Sequence, residues 1–147
     1  MRLVLDTNVV VSGLLFKGAP RRLLQAVADA HVGLFSSAPL LEELADVLSR
    51  SKFKKKLSSL GFSPGQLFDS FARRAEIVHP VPVPRLAPDP DDDVVIGTAI
   101  AAKAELIVTG DKPLLSVGIF DGGRIVSVAE ALAALGGNGS IAVAASQ

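Results

Sequence analysis

Short apolar runs that end abruptly in polar residues alternate along the chain with longer segments of helical periodicity. The runs at residues 3–5 and 106–108 contain no polar residue, which is typical of strands buried on both faces. Further strands are predicted at 32–35, 77–78 and 125–126. Strands that alternate with helices indicate an α/β fold in which a mainly parallel sheet carries helices on both faces.

Helices are predicted from apolar positions spaced three and four residues apart and from prolines that suit a first helical turn. They cover 9–16, a segment from Pro20, 39–50, 52–60, a segment from Ser63, 90–103 and 128–135. Five of the nine prolines fall between residues 80 and 90. Because proline lacks a backbone donor and restricts its predecessor, this stretch is predicted to be an extended connector.

Composition indicates a single globular domain. A length of 147 residues suits one hydrophobic core, and 49% hydrophobic against 20% charged residues favours folding over disorder. We predict one domain over residues 1–135 and a flexible tail over 136–147. The chain has no cysteine, which excludes disulfide scaffolds, zinc knuckles and cysteine nucleophiles. Without a long apolar run or a secretory-type N-terminus, we expect a cytoplasmic protein with no membrane association.

Charge excludes a globally basic nucleic-acid binder, because 15 basic and 15 acidic residues give a net charge of zero. A local basic patch stays possible. One cluster of cations consists of Arg50, Lys52, Lys54, Lys55 and Lys56. A solvated helix face is the plainer interpretation of these residues. If they lie beside acidic groups, they would offset the repulsion of RNA phosphates and bind RNA.

Two of the predicted buried strands lead directly into acidic residues. Asp6 follows residues 3–5, and Asp111 follows residues 106–108 after Thr109 and Gly110. Parallel α/β sheets bind ligands outside the carboxyl ends of their strands. If the two strands are neighbours, both acids lie at that edge. Taken alone, each acid has a plainer interpretation, which is a helix cap or a turn residue.

Two further acidic segments lie at predicted helices. Residues 89–93 carry four aspartates, whereas a helix N-terminus needs one or two, and the surplus repels itself unless cations gather there. Helical periodicity does not indicate whether Asp92 or Asp93 faces the site, because each lies on a mostly apolar stripe of the predicted helix. In the helix 39–50, Glu43 borders the apolar face, while Glu42 is expected to be solvated.

Carboxylates from four separated segments have one economical use, which is to hold a divalent cation. Oxygen ligands, with no cysteine and no suitably placed histidine, favour Mg²⁺ or Mn²⁺. Such an ion orients a water molecule, lowers its pKa and stabilises the added negative charge of a phosphodiester transition state. The sequence therefore predicts a metal site that acts on phosphodiesters.

The chain resembles the PIN (PilT N-terminus) domain family, in its bacterial and archaeal branch of VapC-type toxins. Four stretches carry the resemblance, in the family's order. They are Val-Leu-Asp-Thr-Asn-Val at 4–9, Leu-Glu-Glu-Leu-Ala-Asp-Val-Leu-Ser-Arg at 41–50, Asp-Pro-Asp-Asp-Asp at 89–93 leading to Ala99, and Ala-Glu-Leu-Ile-Val-Thr-Gly-Asp at 104–111. The resemblance implies a three-layer α/β/α sandwich and a metal-dependent endoribonuclease, the toxin of a toxin–antitoxin pair.

The resemblance also implies roles for individual residues. The family's four catalytic acids correspond to Asp6, Glu43, Asp92 and Asp111. The three aspartates would hold Mg²⁺ or Mn²⁺, with the glutamate a ligand directly or through water. Auxiliary positions correspond to Asn8, Asp89, Asp93 and Thr109. Asn8 and Thr109 would orient the carboxylates by hydrogen bonding, with helix capping as the alternative for Asn8.

The same resemblance implies an RNA substrate, a cognate antitoxin protein and self-association as a homodimer or larger oligomer. Two other classes of protein share the strand-end acid. A haloacid-dehalogenase-like phosphatase normally has a second acid two residues later, where this chain has Asn8. A receiver domain needs a separate phospho-acceptor aspartate after a middle strand, which the chain does not show. A PIN fold used mainly as a protein-interaction module is the third alternative.

Overall fold

The computed structural model describes residues 1–29, 32–84 and 90–136. The strands are β1 (Arg2–Leu5), β2 (Gly33–Ser36), β3 (Glu76–Ile77), β4 (Leu106–Val108), β5 (Ile119–Phe120) and β6 (Gly123–Val126). The helices are α1 (Thr7–Leu15), α2 (Ala19–Asp29), α3 (Ala38–Leu48), α4 (Lys54–Leu60), α5 (Pro64–Ala72), α6 (Pro90–Ala101), α7 (Lys112–Val117) and α8 (residues 128–136). A short 3-10 helix, Ser51–Phe53, precedes α4.

The strands of the described residues form one sheet in the order β3-β2-β1-β4-β6-β5. All neighbours are parallel except β5 and β6. From β1 the chain first adds strands on one side, β2 and β3, and then crosses to the other side with β4. The order therefore reverses between β1 and β4, and the carboxyl ends of strands at such a switch point form a crevice.

Helices cover both faces of the sheet, as alternating side chains on its central strands show. Leu3 and Leu5 of β1 belong to one apolar cluster, which packs against α1 to α5 and α8. Val4 of β1 belongs to a second cluster, which packs against α6 and α7. Both clusters are buried, because a parallel strand lies between two helical layers. The predicted α/β/α sandwich with a mainly parallel sheet is confirmed.

Element positions agree with the sequence predictions more closely in the centre of the sheet than at its edges. The strands predicted at 3–5 and 106–108 are present as β1 and β4. The helix predicted at 52–60 begins instead as a 3-10 turn, and the helix predicted to reach 103 ends at Ala101. Lys103 adopts a left-handed φ of 53° there, and Ala104 donates its N–H to the carbonyl of Ala99 at 2.8 Å. Helix α7 and strand β5 were not predicted.

The described part of the proline-rich connector, residues 80–84, has no regular secondary structure and lies along α6. The N–H of Val81 donates to the carbonyl of Gly97 at 3.1 Å. A side chain at Gly97 would clash with the carbonyl oxygen of Val81, so glycine permits this close approach. The position predicted for Asp89 lies outside the described residues, as does the predicted tail beyond residue 136.

In the part of the chain that the structure describes, no helix is both long enough and apolar enough to cross a bilayer.

Candidate functional site

The adjacent ends of β1 and β4 bring two predicted acids to one edge of the sheet. Leu5 pairs with Val108, and the N–H of Asp6 donates to the Val108 carbonyl at 2.9 Å. Asp6 is the N-cap of α1 and Asp111 is the N-cap of α7. Their side chains accept hydrogen bonds from backbone N–H groups at 2.9 and 3.0 Å. Both acids are thus helix caps, and the sheet also places both at its switch point.

The hydroxyl of Thr109 joins the two acids. It donates to Oδ2 of Asp6 at 2.7 Å and accepts the backbone N–H of Asp111 at 3.0 Å. Thr109 is fully buried, and its bond to Asp6 is buried with it, whereas the bond from the Asp111 N–H is only partly buried. This hydroxyl fixes the orientation of the Asp6 carboxylate and the path of the chain that leads to Asp111.

Asp6 occupies an environment that opposes its ionisation. Its side chain is 7% exposed. Burial raises the pKa of Asp6 above its ordinary value, the hydrogen bonds from Thr109 and from the N–H of Thr7 counteract the rise, and the nearby Asp111 carboxylate adds to it. A buried carboxylate beside a second one is stabilised in its charged form by a cation.

Side chains from four separate segments line one cleft of about 240 Å³ at this edge. Its acidic residues are Asp6, Glu43, Asp92 and Asp111. Asn8, Val47 and Arg50 complete the lining. Glu43 comes from the middle of α3 and Asp92 from the first turn of α6. The structure therefore brings together the four acids that were predicted as catalytic.

The predicted auxiliary residues are divided between the cleft and other surroundings. Asn8 lies in the first turn of α1, exposed and facing the cleft, and it is not the helix cap. Asp93 instead borders a groove between α6 and the connector, beside Pro39 and Pro80. The structure thus places Asp92, and not Asp93, at the acidic cleft.

Arg50 is the one member of the predicted basic cluster that lines the acidic cleft. Its guanidinium donates to Asp46 at 3.2 Å in an exposed ion pair. Arg50 lies just beyond the end of α3, as the extended N-cap residue of the 3-10 helix, so helical spacing from Glu43 and Val47 does not account for its position. The predicted cluster is therefore not a single patch beside the acids.

The lysines of that cluster face other groups. The ammonium of Lys52 lies 5.0 Å from the ring centroid of Phe53, and that of Lys56 lies 5.3 Å from the ring centroid of Phe16. Lys54 borders a neighbouring groove, and Lys55 is exposed on α4. These cation–π contacts stabilise the surface locally and place two of the ammonium groups over phenyl rings.

The donor set of the cleft fits a hard divalent cation in its chemistry, because it consists of carboxylate and amide oxygens. The described residues contain no group of three or more His, Cys, Asp or Glu side chains arranged to hold a metal ion. Mg²⁺ does not require one, since it usually keeps several waters and is held by one or two carboxylates together with substrate phosphates. The cleft therefore fits such an ion bound partly through water.

Comparison with solved structures identifies proteins of the same fold. A chain of the crystal structure of VapBC2 from Rickettsia felis, bound to a DNA fragment from their promoter, is 19% identical, with a TM-score of 0.59 over 86% of this chain and 98% of that chain. PAE2754 from Pyrobaculum aerophilum is 14% identical, with a TM-score of 0.60 over 93% and 90%. These likenesses show a shared fold. No curated protein matches the chain significantly.

The match to a family model is more specific than the shared fold. A model described as a PIN domain matches residues 2–113. That span begins in β1 and ends just after Asp111, so it includes all four acids of the cleft. The chain belongs to the PIN domain family.

Proposed function

We propose that the chain is a Mg²⁺- or Mn²⁺-dependent endoribonuclease and the toxin of a toxin–antitoxin pair. One observation carries the proposal: four acids from four separate segments line a single polar cleft at the switch point of the sheet. Four carboxylates gathered without a cation would repel one another and lose hydration. Membership of the PIN domain family and the resemblance to VapC-type toxins support the nuclease over other uses of such a cleft.

The proposal gives each cleft residue a role. Asp6, Asp92 and Asp111 would hold the cation, one or two of them directly and the rest through water, and Glu43 would contribute directly or through a water molecule. When bound, the cation supplies a water of lowered pKa and neutralises the charge that develops on the scissile phosphate. The hydroxyl of Thr109 donates to Oδ2 of Asp6 at 2.7 Å and so holds the carboxylate in its orientation at the cleft. Asn8 presents a neutral donor and acceptor at the rim, suited to a water or a phosphate oxygen.

Basic residues around the cleft are proposed to offset its negative charge when RNA approaches. Arg50 is placed to do so directly, because it lines the cleft itself. Its ion pair with Asp46 is exposed, and exposed pairs contribute only about 0–1 kcal/mol. Arg50 can therefore exchange that partner for a phosphate. Lys52, Lys54, Lys55 and Lys56 are proposed to add long-range attraction from the neighbouring 3-10 helix and α4.

The proposed partners are an antitoxin protein and a second copy of the chain. The VapBC2 structure from Rickettsia felis contains a complex bound to a DNA fragment from their promoter, and this supports a protein partner for the present chain. Light scattering on the purified chain, alone and after co-expression with its antitoxin, measures both associations.

RNA cleavage tests the proposed activity. The purified chain is incubated with single-stranded and structured RNA in Mg²⁺, Mn²⁺ or EDTA. We expect fragments in either metal and intact RNA in EDTA. Asp6→Asn and Asp92→Asn should reduce cleavage by more than the roughly 10–100-fold that the loss of an outer partner of a metal site costs. Asp93→Asn is the matched control, because the neighbouring aspartate lies outside the cleft.

Three results would contradict the proposal. Cleavage that persists in EDTA would show that the activity does not depend on a divalent cation. Hydrolysis of phosphomonoesters without RNA cleavage would indicate a phosphatase. Tight binding of a protein partner without any turnover would indicate an interaction module.

Expression of the wild-type chain in bacteria should arrest growth, whereas the Asp6→Asn chain should not.

A further inference from the structure

A second groove, which we call the Phe62 groove, adjoins the acidic cleft where α3 meets α4 and α5. It has a volume of about 430 Å³, and its lining includes Leu48, Arg50, Lys54, Leu57, Ser58 and Phe62. Arg50 lines both the groove and the cleft. Val47 of the cleft and Leu48 of the groove are consecutive in α3, so the two concavities share a wall.

The groove combines an apolar floor with a polar rim. Leu48 is fully buried and Leu57 is 5% exposed, so they form the floor. The phenyl ring of Phe62, in contrast, is half exposed. The cationic side chains of Arg50 and Lys54 and the hydroxyl of Ser58 lie at the rim. An exposed aromatic ring beside cations and a hydroxyl is suited to a planar base joined to a phosphate.

Local structure fixes Phe62 at this position. Gly61 adopts a left-handed φ of 76° and ends α4. The N–H of Phe62 then donates to the carbonyl of Leu57 at 3.2 Å, which closes the helix end. On the other side, Ser63 and Gln66 form a capping box that begins α5. Phe62 therefore sits between two fixed helix ends, and little backbone entropy would be lost when a ligand stacks on its ring.

We propose that the Phe62 groove binds a nucleotide of single-stranded RNA that neighbours the scissile phosphate, with Phe62 against the base and Lys54 and Arg50 toward the phosphates. This inference rests on the proposed function, because the acidic cleft sets where the scissile phosphate lies. An acidic peptide would use the same cations but would leave the exposed ring without a stacking partner. Single-strand binding uses both features together.

The proposal separates the basic residues by role. Arg50 and Lys54 line the groove, whereas the ammonium groups of Lys52 and Lys56 lie over the rings of Phe53 and Phe16. Lys55 is exposed on α4 and is not part of the groove lining. The chain thus contains matched controls for each contact, namely Lys55 for Lys54 and the 43% exposed Phe16 for Phe62.

Fluorescence anisotropy with a short, labelled, mixed-sequence single-stranded RNA tests the inference. Measurements are made in EDTA, so that metal-dependent cleavage does not interfere. Phe62→Leu keeps apolar volume at the end of α4 but removes the ring, and it should weaken binding by about fivefold or more. Phe62→Trp should bind as well as the wild type or better. Lys54→Ala should weaken binding and lower the slope of log affinity against log salt by about 0.7.

The controls decide the outcome. Phe16→Leu should bind RNA like the wild type. Lys55→Ala removes a long-range attraction but no groove contact, so it should lose less affinity than Lys54→Ala. Thermal melts verify that each variant is folded. Equal binding by Phe62→Leu and the wild type would overturn the inference. So would an acidic peptide that competes fully for the groove and depends on Lys54 but not on Phe62, because the groove would then be a protein-docking site.

Cleavage assays separate this inference from the proposed function. If RNA binding depends on Phe62 but the chain has no nuclease activity, the proposed function is wrong and the RNA-binding role of the groove is supported. If the chain cleaves RNA but RNA binding does not depend on Phe62, the proposed function is supported and the role of the groove is wrong.

Discussion

The hydroxyl of Thr109 gives the sharpest test of how the two strand-end acids are held. Thr109→Val keeps the shape of the side chain and removes only the hydroxyl. The variant loses the donor to Asp6 Oδ2, at 2.7 Å, and the acceptor for the N–H of Asp111, at 3.0 Å. Because Thr109 is fully buried, water does not replace it at the same position.

The magnitude follows from the two lost bonds. A hydrogen bond to a charged group contributes about 1.5–3 kcal/mol, and an amide N–H left without an acceptor costs about 1–3 kcal/mol when buried. The Asp111 N–H is only partly buried, so the lower end applies to it. We therefore expect the free energy of unfolding to fall by about 2–4 kcal/mol at neutral pH. For a chain of this size that corresponds to about 6–12 °C in Tm.

The cost should depend on pH, because Asp6 titrates. Burial raises the folded-state pKa of Asp6 above its ordinary value of 3.8, and the Thr109 bond opposes that rise. A raised pKa means that the folded chain binds more protons than the unfolded chain, so stability falls as the pH rises through this window. Without the hydroxyl the pKa rises further. Thr109→Val should therefore cost more at neutral pH than at acid pH, because the lost hydrogen bond is strongest to the charged Asp6 carboxylate.

Chemical unfolding of the wild type and the variant in EDTA, at both pH values, measures this difference. Thr98→Val is the matched control, since its buried hydroxyl bonds to Ser37 at 2.9 Å and to the carbonyl of Val94 at 2.8 Å. None of these partners titrates, so the control should lose stability equally at both pH values. A cost of Thr109→Val below about 0.5 kcal/mol, or one that does not grow with pH, would refute the reasoning.

Two further predictions concern the scaffold around the site. Gly97→Ala should lower the free energy of unfolding by about 1–3 kcal/mol, because the new methyl group meets the carbonyl of Val81. Gly65→Ala in α5 has space for the methyl group and should raise the free energy of unfolding by about 0.5–1 kcal/mol. Equal thermal melts for the two variants would contradict the close packing of the connector on α6. Ser63→Ala should cost about 1 kcal/mol in the same assay, because the capping box with Gln66 is lost, and an unchanged Tm would show that the box does not stabilise α5.

The sequence predicted the centre of the sheet and its acids because both follow from short-range signals. An uninterrupted apolar run identifies a strand buried on two faces, and the acid that follows it lies at the carboxyl edge. Asp6 and Asp111 were located in this way. Glu43 followed from its place at the border of an amphipathic face on α3.

The elements that sequence patterns did not predict are short or exposed. Strand β5 has two residues, and Ile119 in it is 75% exposed. Helix α7 has six residues and buries Leu114. Elements of this length contain too few positions for a repeating hydrophobic pattern to be recognised, and they form because tertiary contacts pair or cover them. The two-residue strand β5 pairs with β6 across a turn at residues 121–122.

Helical periodicity alone could not choose between Asp92 and Asp93, and only the family resemblance pointed to Asp92. Helix α6 is apolar on nearly all sides beyond its first turn, because it lies between the sheet and the connector. Periodicity on such a helix does not distinguish a buried face from an exposed one. The packing of residues 80–84 against α6 is what separates the two aspartates, and that contact is not a local signal.

Calorimetric titration of Mn²⁺ into the metal-free chain tests most directly whether the acidic cleft is a metal site. The wild type should bind the ion, Asp92→Asn should bind it at least about tenfold more weakly, and Asp93→Asn should bind it like the wild type. Of these two adjacent aspartates, Asp92 lines the acidic cleft and Asp93 borders the groove beside the connector. Equal loss of affinity in both variants, or no Mn²⁺ binding by the wild type, would contradict the account.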